Sequence, residues 1–161
     1  MEKVFLGIGS NLGDKNYFLH FALVKLDHIL ADMRVSHFYE TDPMYVTDQN
    51  SFLNAVVEGK TDIDPFKLLE LVLGIENSAG RDRETVVRRG PRVLDIDLLL
   101  YGERIIRSET LVCPHPCMRE RLFVLIPLLE LDPDCIEPGT GIHYSDYRAA
   151  LSGKDSGVRR V

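Results

Sequence analysis

The sequence predicts an α+β protein, an antiparallel sheet with helices packed on it. Three observations predict it. Short apolar runs with period-two alternation or turn punctuation recur near residues 3 to 8, 35 to 40, 51 to 58 and 93 to 101. Two longer segments, 16 to 30 and 66 to 79, repeat apolar residues every three or four positions, the spacing of a helix with one buried stripe. The composition, 45% hydrophobic over 161 residues, suits one globular domain, and no apolar run reaches membrane-spanning length.

The first strand ends at Gly7-Ile8-Gly9-Ser10-Asn11-Leu12-Gly13-Asp14, a tight turn without the lysine of a P-loop or the third glycine of a dinucleotide fingerprint. The first helix presents Leu19, Ala22, Leu23, Leu26, Ile29 and Leu30 on one stripe, with Asp14 or Asn16 as cap. A second strand over residues 35 to 40 stops at Thr41-Asp42-Pro43. In the third, Leu53, Ala55 and Val57 share one face, and Phe52, Asn54 and Val56 the other. Asp64-Pro65 starts the second helix, whose apolar face is Leu68, Leu69, Val72, Leu73 and Ile75, and Gly80 stops it. The resulting order, strand-helix-strand-strand-helix-strand, is the ferredoxin-like βαββαβ arrangement, with the first and last strands expected to be central and adjacent. Extra turns and short strands would extend it towards the C-terminus. The chain reads as one domain, 1 to 161, with a polar, frayed tail at 152 to 161.

The fourth strand carries the chemistry. Leu94, Ile96, Leu98 and Leu100 alternate with Val93, Asp95, Asp97, Leu99 and Tyr101, so the two carboxylates project side by side, roughly 6–7 Å apart. Like charges that close need a cation, and Mg²⁺ suits carboxylates that share it with phosphate oxygens. A solvated strand face bearing two acids is the plainer alternative. Just upstream, Arg81, Arg83, Arg88, Arg89 and Arg92 form a cationic island in a chain of net charge −6. Guanidinium forks clamp phosphate oxygens, so arginines leading into paired aspartates suit polyphosphate chemistry. A lone basic loop on an acidic protein is a poor nucleic-acid surface. Asn54, an amide among apolar neighbours, either makes a structural bond or recognises a planar heterocycle beside Phe52.

Farther on, Cys113-Pro114-His115-Pro116-Cys117 holds His115 between two prolines. Three potential ligands fall short of a zinc site, and His115 with Arg119 and Arg121 reads better as a second phosphate-binding wall. Three cysteines, an odd count, and an N-terminus without a signal-peptide pattern suggest the cytoplasm.

Together, Gly9-Ser10-Asn11-Leu12-Gly13-Asp14, Tyr39-Glu40-Thr41-Asp42-Pro43 with Gln49 and Phe52-Leu53-Asn54, Gly80-Arg81-Asp82-Arg83, Gly90-Pro91-Arg92-Val93-Leu94-Asp95-Ile96-Asp97, and Pro114-His115-Pro116 with Met118, Arg121 and Phe123 resemble the hydroxymethyl-dihydropterin pyrophosphokinases of folate biosynthesis. The resemblance implies a ferredoxin-like fold and pyrophosphate transfer from ATP to the hydroxymethyl group of the dihydropterin. By the same carry-over, Asp95 and Asp97 hold two Mg²⁺ ions, and Arg81 and Arg92 grip the triphosphate with help from Arg83. Glu76, His115 and Arg121 lie on the nucleotide side. Thr41, Pro43, Asn54 and Asp95 surround a pterin stacked between Phe52 and Phe123. The chain departs from the family pattern at Tyr45, Arg89, Thr110 and Val112. The implied partners are the two small-molecule substrates, with no nucleic acid or membrane, and the implied state is a monomer or at most a dimer. Two other classes share some of these features. A two-metal nucleotidyl or phosphodiester enzyme would not need the aromatic and amide wall. A non-catalytic nucleotide sensor would bind ATP without making AMP.

Overall fold

The computed structural model describes residues 1–43, 48–80, 93–153 and 157–161. Arg81, Arg83, Arg88, Arg89, Arg92 and Tyr45 therefore lie outside the described residues. The chain begins with β1 (Glu2–Ser10) and α1 (Lys15–Asp27), continues through β2 (Ala31–Val35), β3 (Tyr39–Thr41) and β4 (Phe52–Thr61), and reaches α2 (Pro65–Ser78) and β5 (Asp95–Tyr101). A small hairpin of β6 (Ile106–Arg107) and β7 (Val112–Cys113) leads into α3 (Leu122–Leu131), α4 (Tyr144–Ala150) and β8 (Val158–Arg160). The main sheet has the order β5-β1-β4-β3-β8, and β2 also pairs with β4. Its described ladders are antiparallel, and the core architecture is the expected ferredoxin-like one.

Both long helices start where local chemistry dictates. The Asp14 carboxylate accepts from Tyr17 N–H, and the Asp64 carboxylate accepts from Phe66 and Lys67 N–H with Pro65 at the first position. Gly80, at φ +91°, ends α2 in the left-handed region that a side chain would disfavour. One face of the sheet packs on α1 and α2 through Val4, Leu6, Ile8, Leu53, Ala55 and Val57 against Leu19, Leu26, Leu68 and Val72. Each such buried valine, leucine or isoleucine side chain contributes about 1.5–3 kcal/mol. The other face is covered in part by α3 and α4, with Phe5, Val56, Leu99 and Leu100 meeting Leu125, Leu128 and Tyr144.

Four expectations need correction. The second strand is not residues 35 to 40 but two pieces, β2 and β3, either side of Ser36. There the Ser36 hydroxyl accepts Val56 N–H at 3.0 Å, and the register against β4 shifts by one residue between Val35↔Val57 and Tyr39↔Asn54. The last of the four core strands, β5, is adjacent to β1 but ends the sheet rather than lying inside it. Its outer edge is covered at Leu99, whose carbonyl accepts His115 N–H at 2.9 Å. The alternation along β5 also breaks. A register shift opposite Phe5 and Leu6 leaves Leu99 as an extra residue, so Tyr101 joins the core under α1 and α2 while Leu100 turns to the α3 side. Finally, the tail expected to fray at 152 to 161 contributes β8, which pairs Tyr39 with Arg160, Glu40 with Arg159 and Thr41 with Val158.

Candidate active site

Where α3 and α4 do not cover the sheet, a cleft opens over β1, β4 and β5. The space between its walls, about 700 Å³, includes a part open to solvent. Its floor is β1, where the alternation that sends Leu6 and Ile8 into the core sends Gly7 and Gly9 upward. Gly7 lies opposite Asp97 and Gly9 opposite Asp95 on one side. On the other side, Gly7 lies opposite Val56 and Gly9 opposite Asn54. A Cβ at Gly9 would stand 2.7 Å from Asn54 Oδ1, so a glycine is required for the amide to lie over the strand.

The β4 wall consists of Phe52, Asn54 and Val56, joined by Thr41 and Asp42 at the end of β3 and by Gln49. Asn54 is 7% exposed, and its Nδ2 donates to Thr41 Oγ1 at 3.0 Å. The amide thus has the structural bond open to it as one reading, and it still lines the cleft. Gln49 is held from below, its Oε1 accepting from the buried Asn11 side chain at 2.7 Å. The opposite wall is β5, with Asp95 and Asp97 both half-buried and facing the cleft. Arg121, Phe123 and Val124 overhang it from the start of α3, and the Arg121 guanidinium lies 5.6 Å from the centre of the Phe123 ring. One cleft therefore combines paired carboxylates, a guanidinium, two phenyl rings and a fixed amide.

Of the expected site residues, the structure brings together Thr41, Phe52, Asn54, Asp95, Asp97, Arg121 and Phe123. Three of the described ones stand elsewhere. Pro43 is not among the residues lining the cleft, and its neighbour Asp42 is. Glu76 is 1% exposed on the helix side of the sheet, where its Oε1 accepts Ile96 N–H at 2.7 Å. It therefore anchors the backbone between the two aspartates instead of facing the cleft. His115 lines a neighbouring hollow with Arg107, Pro114 and Pro116. There its Nδ1 accepts Cys117 N–H at 3.2 Å, which leaves the proton of the neutral ring on Nε2. Arg119, expected in a phosphate wall, is instead engaged through two nitrogens by the buried Glu137, at 2.7 and 2.6 Å. The Glu137 carboxyl is also bonded by Thr140 and Tyr147, and although burial alone would raise its pKa, these partners hold it low. Cys113, considered as a zinc ligand, is buried, which pushes its thiol up to about 11, and among the described residues no group of three or more His, Cys, Asp or Glu is gathered for a metal.

Sequence reasoning missed Gly7, Gly9, Asp42 and Gln49 as lining residues. The glycines carried a usable signal, since they alternate with Leu6 and Ile8 on a strand. Asp42 and Gln49 stood within the motifs of the resemblance, but no local pattern put them at the cleft, since the placement of Asp42 depends on the end of β3 and that of Gln49 on Asn11.

Residues 5–133 match the family model described as 7,8-dihydro-6-hydroxymethylpterin-pyrophosphokinase. The chain is 49% identical over 156 residues to a 2-amino-4-hydroxy-6-hydroxymethyldihydropteridine pyrophosphokinase of Bacillus subtilis, covering 96% of this chain and 92% of that one. It is 44% identical to the protein of the same name from Methylorubrum extorquens, covering 100% of this chain and 99% of that one. A crystal structure described as HPPK-DHPS in complex with substrates superposes with a TM-score of 0.75 at 12% identity, over 95% of this chain and 44% of that one. Plasmodium falciparum HPPK-DHPS superposes with a TM-score of 0.71 at 16% identity, over 94% of this chain and 44% of that one. At such identities the likeness speaks for the fold.

Proposed function

The chain belongs to the 7,8-dihydro-6-hydroxymethylpterin-pyrophosphokinase family, and from that premise we propose how its cleft does the family's work. The activity is transfer of pyrophosphate from ATP to the hydroxymethyl group of 6-hydroxymethyl-7,8-dihydropterin, with release of AMP, in folate biosynthesis.

One observation carries the assignment of roles: Asn54 and Asp95 flank Gly9 from opposite sides, so a heterocycle wall and a carboxylate pair face each other across one residue of β1. On this reading the pterin lies flat between Phe52 and Phe123, and Asn54, held by Thr41, meets its polar edge. Asp95 stands where the pterin side meets the phosphate side. Asp95 and Asp97 fit hard divalent cations, being two oxygen-donor groups on neighbouring same-face positions, half-buried and opposite glycines that leave room above the strand. Asp95 and Asp97 would hold two Mg²⁺ ions, which when bound would supply positive charge against the ATP phosphates. Glu76 anchors the backbone between the pair by accepting from Ile96 N–H. Arg121 binds phosphate oxygens at the cleft mouth, and His115, whose neutral ring carries its proton on Nε2, donates to them from its own hollow. Arg81, Arg83 and Arg92, outside the described residues, complete the grip on the triphosphate.

The pterin hydroxyl attacks the β-phosphorus in line. Its O–P bond forms as the bond from the β-phosphorus to the bridging oxygen of the α-phosphate breaks, AMP leaves with that oxygen, and the hydroxyl proton passes to water. The guanidinium groups stabilise the charge that develops on both sides. The aromatic and amide wall in the same cleft favours this over a nucleotidyl or phosphodiester enzyme. We read residues 1 to 161 as one such domain, acting in the cytoplasm, as a monomer or at most a dimer, on two small molecules.

The direct test mixes protein, ATP, Mg²⁺ and the hydroxymethyl-dihydropterin and resolves the nucleotides. AMP in step with pterin consumption, abolished by chelation, is the expected result; ADP, or turnover indifferent to chelator, would overturn these roles. Arg92→Ala should lower kcat more than it raises the KM of the pterin.

A further inference from the structure

The last strand reaches the rim of the cleft. β3 has three residues, with β4 on one side and β8 on the other. Thr41, whose hydroxyl holds Asn54, is paired with Val158, and the next residue, Asp42, donates its N–H to Gly157 O at 3.1 Å. The Arg159 guanidinium lies 3.3 Å from Asp42 Oδ1 and 4.0 Å from Glu40 Oε1. Glu40 in turn accepts from the Ser51 hydroxyl at 2.7 Å, at the start of the β4 wall. The approach is close: a Cβ on Gly157 would stand 3.1 Å from both Cβ and Oδ2 of Asp42. At the far end, Val161 N–H donates to Phe38 O at 2.9 Å, and Arg160 lies 2.5 Å from His37 Nε2. His37 and the Tyr39 hydroxyl both bond Glu130 of α3. β8 is thus fastened to α3 at one end and to the cleft rim at the other.

We propose that Arg159 is a positioning residue for the pterin side of the cleft: through Asp42 and Glu40 it holds the end of β3 where Thr41 can fix the Asn54 amide. The proposal rests on the reading of Thr41 and Asn54 as the pterin wall. It assigns a substrate-selective effect to a side chain on a strand whose other face carries none of the phosphate-binding groups described above.

Steady-state AMP formation by full-length Arg159→Ala, Arg159→Lys, Gly157→Ala and Asn54→Ala, with each substrate varied in turn, tests it. Arg159→Ala should raise the pterin KM about two- to five-fold, the range of a half-exposed ion pair. The ATP KM and kcat should stay at the wild-type values, and Arg159→Lys should restore most of the loss. Gly157→Ala should move the pterin KM the same way by pushing on Asp42. Equal rises in both KM values would mark a merely structural role and overturn the proposal. A pterin KM raised in Asn54→Ala but not in Arg159→Ala would overturn it alone. A pterin KM raised in neither would overturn the reading of the wall, and the role of Arg159 with it.

Discussion

The two faces of β1, β4 and β5 are made from alternate residues of the same strands, and they differ in kind. Towards α1 and α2 the strands present Leu6, Ile8, Leu53, Val57, Ile96 and Leu98, all nearly sealed from solvent. Towards the cleft they present Gly7, Gly9, Asn54, Asp95 and Asp97, groups that contribute little to a core and, for the carboxylates, would be costly in one. The contrast shows how such a site is tolerated. Every unfavourable residue is the immediate neighbour in sequence of a strongly favourable one, so the helix face holds the strands in place while the cleft face is free for chemistry.

Substitutions on adjacent residues can break that contrast. Asp97→Ala should lower the rate of AMP formation by about a thousand-fold, with the circular-dichroism spectrum and melting temperature unchanged; undiminished turnover would dismiss the carboxylate pair. Leu98→Ala, one residue on, should do the reverse, lowering unfolding free energy by about 3 kcal/mol while folded protein keeps its kcat in the cold. Gly9→Ala crosses between the two, because the added methyl meets Asn54 Oδ1. It should raise the pterin KM about ten-fold, and an unaffected pterin KM would show that the amide does not need its place over β1.

Smaller effects sharpen the comparison on the covered part of the cleft-side face. Glu137 and Glu130 are both held below the ordinary carboxylate value. In each, burial alone would raise the pKa, and hydrogen bonds from Arg119, Thr140 and Tyr147, or from Tyr39 and His37, outweigh it. A lowered folded-state pKa stabilises above the unfolded value near 4.5 and is lost as pH falls through the folded value. Thermal unfolding followed from pH 7 down to pH 3 should therefore show a loss of stability beginning near pH 4.5, and Glu137→Gln should flatten that limb. The smallest change expected is at Tyr144, fully buried with a hydroxyl that has no hydrogen-bond partner among the described residues. Tyr144→Phe should alter stability by less than about 1 kcal/mol, or raise it. A large loss would reveal a partner for the hydroxyl.

Much of this was legible because it is local. Asp14, Asp64-Pro65 and Gly80 mark helix ends through bonds to residues two to four positions away, and the period along Phe52–Val57 assigned both faces of β4. The acids at 95 and 97 were readable from two-residue alternation, together with the sequence resemblance. What was missed depends on partners distant in sequence. The break at Ser36 exists because of Val56, and Val158–Arg160 forms a strand because β3 offers it an edge. Glu76 was placed on the nucleotide side by the resemblance, and only the folded chain shows its carboxylate under Ile96. Arg119 looked like a phosphate ligand because Glu137, eighteen residues on, left no local trace.

The extra residue at Leu99 has a bearing on how this protein can change over time. By resetting the phase within one strand, it separates the side on which Asp97 points from the side on which Tyr101 points. Lineages can therefore drift at the Tyr101 end, or swap the hairpin that follows it, without reorienting the acids. A single-residue insertion or deletion between Asp95 and Asp97 would instead send the two carboxylates to opposite faces of the sheet, one of them into the hydrocarbon interior.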